Sequence, residues 1–180
     1  MKCKTCKNEF TQYNSIQKLC FDCTVKKAKE TVKKKQDSDW RKRKSELKEK
    51  TKTITDYRND ARYWFQRWIR IRDLGKTCIS CQTLLTDIRD YDAGHYYNAN
   101  SYPNLLFNEF NVNGQCKNRC NNLLSGNLIE YRKGIINRYG NEVLFTLDNL
   151  ADDKTVRTLK KEYYIEVMNE YKKRCKDFER

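Results

Sequence analysis

Nine cysteines and a single histidine stand out among the 180 residues of the chain. Eight of the cysteines form two sets. Cys3-x2-Cys6 and Cys20-x2-Cys23 are separated by thirteen residues, and Cys78-x2-Cys81 and Cys116-x3-Cys120 by thirty-four. Cysteines two or three residues apart let one tight turn aim two thiolates at the same ion, and two such pairs complete a tetrahedron around zinc. The odd total, and the lack of an apolar leader in MKCKTCKNEF, point to a reducing cytoplasm rather than to disulfides. Two structural zinc sites are therefore expected. Cys175 belongs to neither set; it falls on the apolar face of a helical pattern and is predicted to be a buried core thiol.

Across the second set runs DAGHYYNANSYPNLLFNEFNVNGQCKNRCNN, which holds His95. His95 follows an apparent strand over Ile88–Gly94. Asn111 comes sixteen residues later, and Asn121 directly follows Cys120. Hydrolysis of a phosphodiester needs a base that activates water and a divalent ion that neutralises the developing phosphorane. One imidazole, a carboxylate and a side-chain amide on a zinc-stapled loop can supply that. A lone histidine is more often structural than catalytic, and these residues by themselves leave both readings open.

The elements that must hold these groups read as follows. Residues 1–23 form a cysteine unit too short to fold on hydrophobic burial, so metal must hold it. Residues 24–56 are dominated by Lys, Glu, Asp, Arg and Thr and predict an exposed charged helix or linker. Ala61, Trp64, Phe65, Trp68 and Ile69 recur at helical spacing, with Arg58, Arg62 and Arg70 on the other side and Gly75 as the stop. Residues 76–126 predict short strands and metal loops. Helices are predicted from about Leu128 to Tyr139 and from about Lys154 to Phe178. No apolar run approaches the ~20 residues of a membrane span. Thirty-eight Lys and Arg against 24 Asp and Glu give a formal net charge of +14. Arginines interleaved with aromatics in RNDARYWFQRWIRIRD then point to nucleic acid, bound with strong salt dependence.

The order Cys-x2-Cys, His, Asn, Cys-x3-Cys-Asn resembles the HNH (His-Me finger) nucleases. More narrowly, CISC, DAGHY, FNE-x-NV-x-GQC and SGNLIEYRKGIINRYG resemble the phage NinG (lambda Rap-like) family, densely over residues 78–140. The resemblance implies an α+β protein with a zinc-stapled HNH ββα-metal core packed by helices over residues 57–180. It implies a metal-dependent DNA endonuclease acting on branched recombination intermediates such as Holliday junctions and D-loops, in the cytoplasm of the bacterial host. Carried over residue by residue, His95 matches the general base and Asn111 the residue that orients it across the loop. Asn121 and, less directly, Asp92 match ligands of a catalytic Mg²⁺ or Mn²⁺; Cys78, Cys81, Cys116 and Cys120 match the zinc knuckle. The acidic ligand that often precedes the base is replaced by Gly94, and Asn113 stands where a histidine is common. The resemblance leaves room for a homodimer and for phage recombination proteins as partners. The rival expectations are a non-catalytic zinc-dependent DNA-binding recombination adaptor and a sequence-specific HNH restriction or homing nuclease.

Overall fold

The computed structural model describes residues 1–153 and 159–178. It divides into two compact units, Met1–Lys52 and Thr53–Arg180. In the first, Lys2 pairs with Glu9 in an isolated antiparallel bridge, and the turn closes through Lys7, whose φ is 63°. Helix α1, Phe21–Lys50, follows directly; Cys20 is its N-cap and Cys23 lies in its first turn. The charged stretch is thus helical from Phe21, three residues earlier than expected. It is not one element to residue 56, because Thr51 ends it. Cys3 is the only buried residue in this unit and α1 buries none, so apolar burial contributes almost nothing to its stability.

Helix α2, Ile54–Asp73, opens the second unit with a capping box: Asp56 N–H donates to Thr53 Oγ1, and Thr53 N–H donates to Asp56 Oδ2. Its start lies seven residues before Ala61, and Gly75 (φ 79°) stands just past its end. Strands β1, Tyr91–His95, and β2, Val112–Cys116, form a two-stranded antiparallel sheet in which His95 faces Val112 and Asp92 faces Gln115. A π-helical turn over Lys117–Leu123 leads to α3, Leu128–Tyr139. Two further helices are α4, Asn141–Asp152, and α5, Lys161–Phe178. The last was expected from about Lys154. Its first described turn begins at Lys161, residues 159–160 are not helical, and 154–158 lie outside the described residues.

The architecture is mixed and helix-rich with one small sheet. Phe65 and Ile69 of α2 pack on Ala93 of β1, Val112 of β2 and Tyr171 of α5. This is the core beneath the sheet. A second core joins Tyr131 and Ile135 of α3 to Leu144, Leu147 and Ala151 of α4, with Ile79 and Leu105. Phe65 is fully buried, whereas Trp64 and Trp68 are only half-buried. Cys175 is buried on α5, as its helical phase predicts. No helix among the described residues is long and apolar enough to cross a membrane.

Candidate functional site

The site is built on the sheet and its flanks. His95 ends β1, Asp92 sits three residues before it, and Asn121 lies in the π-helical turn after β2. The Asn121 amide donates to Asp92 Oδ2 at 3.0 Å. Asp92, His95 and Asn121 all line one cleft of about 600 Å³, whose other wall carries Arg62, Gln66 and Arg70 of α2. Asn111 is not in the lining. It is fully buried, accepts from Tyr97 N–H at 2.8 Å and donates to the carbonyls of Tyr97 and Leu105, both at 3.0 Å. It thereby closes the loop between the strands, and its side-chain hydrogen bonds go to Tyr97 and Leu105 rather than to His95. The neighbouring Leu106 carbonyl lies 3.3 Å from His95 Nε2, so Asn111 fixes the backbone against which the ring rests.

That contact favours the proton on Nε2 and leaves Nδ1 to accept one. Burial, reinforced by the positive charge of Arg62, pulls the His95 pKa down to about 4 despite the Leu106 carbonyl. The imidazole is consequently neutral near pH 7, the state a general base requires. Asp92 has no cationic side chain within ion-pair reach among the described residues. An unneutralised carboxylate beside an amide oxygen donor is a hard-oxygen set suited to a divalent ion such as Mg²⁺.

Each cysteine set has converged. Within each quartet the four sulfurs lie within 4.8 Å of one another, so each could hold a metal ion. Cys6 and Cys20 sulfurs are 3.7 Å apart and those of Cys81 and Cys116 3.5 Å. A tetrahedron with Zn–S of 2.3 Å has an edge of about 3.8 Å. These spacings fit zinc, and none of the nine cysteines is joined in a disulfide. Ionisation within the quartets is uneven. Backbone N–H groups of Cys20 and Cys6 hold Cys3 down at about 6, while hydrogen bonds with Cys20 and Cys6 push Cys23 up to about 12. In the second quartet burial resists the Cys81 thiolate, yet bonds with Thr83 bring it to about 6; burial raises Cys120 to about 12. Four sulfurs this close cannot all carry charge without a cation among them.

Gly94 is explained by packing. A Cβ there would run into the Gln115 side chain, which is itself held by Ser80 Oγ at 2.8 Å and the Gly126 carbonyl. Residues 92 and 94 share a strand face, so Asp92 carries a carboxylate on the side where Gly94 has no room for one. Asn113 is a hub: its Oδ1 accepts from Tyr139 hydroxyl at 2.6 Å, Arg72 at 3.2 Å and Arg138 at 3.3 Å. Buried Asp73 accepts from Gly114 N–H and from Arg72, both at 2.8 Å. Tyr131 donates to the Gly94 carbonyl at 2.8 Å, bracing β1 one residue before His95. Sequence reading missed Asp73, Tyr131 and Gln66. The i, i+4, i+8 spacing of Arg62, Gln66 and Arg70 was the available signal for the last.

A family model described as Bacteriophage Lambda NinG protein matches residues 1–180. The protein ninG of Escherichia phage lambda is 39% identical over 94 residues, covering 48% of this chain and 45% of the relative. That of Escherichia phage 933W matches to the same extent. The protein ninG of Salmonella phage P22 is 34% identical over 122 residues, 64% of this chain and 57% of the relative. The chain thus spans about half the length of the curated relatives it matches. No solved structure matches it significantly.

Proposed function

Because the chain belongs to the bacteriophage lambda NinG family, we propose that it is a metal-dependent DNA endonuclease of the HNH type, selective for branched recombination intermediates in the host cytoplasm. The observation that carries the reading is the convergence of Asp92, His95 and Asn121 on one cleft. A neutral imidazole, a carboxylate without a cationic partner and an amide are the minimal set for metal-assisted phosphodiester hydrolysis.

In this reading Nδ1 of His95 takes a proton from a water whose oxygen forms a bond to phosphorus. The bond from phosphorus to the 3′ oxygen breaks in line, leaving a 5′ phosphate and, after protonation by solvent, a 3′ hydroxyl. Asp92 and Asn121 would hold the divalent ion, which when bound neutralises charge on the phosphorane and the departing oxygen. Asn111 and Tyr131 keep the strand ends fixed so that the imidazole stays aligned.

The test compares labelled Holliday junction, fork, D-loop and linear duplex, with and without Mg²⁺ or Mn²⁺. Metal-dependent cutting of the branched substrates is expected, and His95→Ala should lower it by roughly 10²–10⁴-fold. Binding without cutting by the wild-type protein would replace this reading with the recombination adaptor.

A further inference from the structure

Alongside His95 the cleft is lined by guanidinium groups that no carboxylate of the described residues pairs with. Arg62, Gln66 and Arg70 project from α2 into the cleft. Neither Arg62 nor Arg70 has a side-chain partner among the described residues. Elsewhere in this unit Arg72, Arg89, Arg132, Arg138 and Arg174 each face a carboxylate. Among the described residues that line the cleft, Asp92 is the one carboxylate against these two guanidiniums. It therefore has a net positive charge even before a divalent ion enters.

The helix also passes the strand in a fixed direction. Tyr91 hydroxyl, at the start of β1, donates to the Arg70 carbonyl, while Arg58 reaches the Ala99 carbonyl beyond the strand's end at 3.4 Å. Arg62 thus stands towards the His95 end and Arg70 towards the Asp92 end. Eight residues of helix place their Cα atoms about 12 Å apart, so one phosphate does not satisfy both.

We infer that Arg62, Gln66 and Arg70 form a phosphate-binding stripe that seats the DNA backbone along the cleft, with Arg62 on the scissile phosphodiester and Arg70 on another phosphate of the same strand. This rests on the proposed nuclease reading and adds the residues by which that site grips its substrate. Guanidinium forks pair with phosphate oxygens in two-bond geometry, and the Gln66 amide between them can donate to a backbone oxygen.

Binding is measured by anisotropy of fluorescein-labelled junction and duplex oligonucleotides over a KCl series, with Ca²⁺ in place of Mg²⁺. Each phosphate contact contributes about 0.9 to the slope of log affinity against log salt. Arg62→Gln/Arg70→Gln should lower that slope by about 1.8, each single variant by about half as much, and Arg62→Lys/Arg70→Lys should keep it. Circular dichroism matching the wild type shows that the fold is retained, and the single variants serve if the double one does not fold. An unchanged slope in the folded glutamine variants overturns the stripe, whether or not the wild type cuts. A lost slope in a protein that cuts nothing upholds the stripe and removes the nuclease. Absence of DNA binding by the wild type overturns both.

Discussion

His95 is the only histidine of the chain, so its imidazole can be followed by proton NMR without assignment. Its pKa is drawn down to about 4 by burial and by Arg62, against an ordinary value near 6.5. The folded state therefore favours the neutral ring, and the unfolded chain takes up the proton first as pH falls. The stability linked to this group is complete above about 6.5 and is lost as pH drops towards about 4. Cleavage that depends on a neutral His95 should hold steady down to about pH 5 and collapse below it. An imidazole midpoint near 6.5 in the folded protein would contradict the burial and the charge that the structure places around it. The candidate groups themselves were legible: His95 stands between the two cysteine pairs of the second set, Asn121 directly follows Cys120, and the family resemblance adds Asp92. The Asn111 contacts were not, since its partners Tyr97 and Leu105 carry no signal of their own in the sequence. Nor was Asp73, whose role depends on the Gly114 N–H across the fold.

Among the elements, α3 is set by a close approach to the first cysteine loop of the second quartet. A Cβ at Gly134 would overlap the Ile79 carbonyl oxygen, a backbone atom with no freedom to turn aside. Alanine gains roughly 1 kcal/mol over glycine in a helix, but overpacking costs about 1–3 kcal/mol. Gly134→Ala should therefore lower the urea midpoint rather than raise it. Helix α3 ends where its glycine signal places it, and α2 follows its apolar repeat. Helix α4 went unread although Val143, Leu144, Leu147 and Ala151 carry helical spacing. The reason is Gly140, at φ 90°, which ends α3 and begins α4 with no intervening loop. A glycine that normally marks a stop here marks a corner. The start of α5 was misplaced because charged residues such as Lys160 favour a helix as readily as they favour a solvated loop.

At the scale of the molecule, the two cysteine quartets set the metal requirement. Purified protein should contain close to two zinc ions per chain by elemental analysis. Removing them with a chelator should abolish the helical signal of α1, because the unit that begins it buries only Cys3. A chain that keeps its full circular dichroism after losing all zinc would show that metal does not hold these loops. The core beneath the sheet has a different dependence, one of time. Phe65 and Ile69 of α2 are covered by Tyr171 of α5, about a hundred residues later in the chain. At about 5–20 residues per second of synthesis, the apolar face of α2 waits roughly 5–20 seconds on the ribosome before its cover exists. Until α5 is made, the strand bearing His95 has no finished floor, and the apolar face of α2 stays open to solvent and to chaperones.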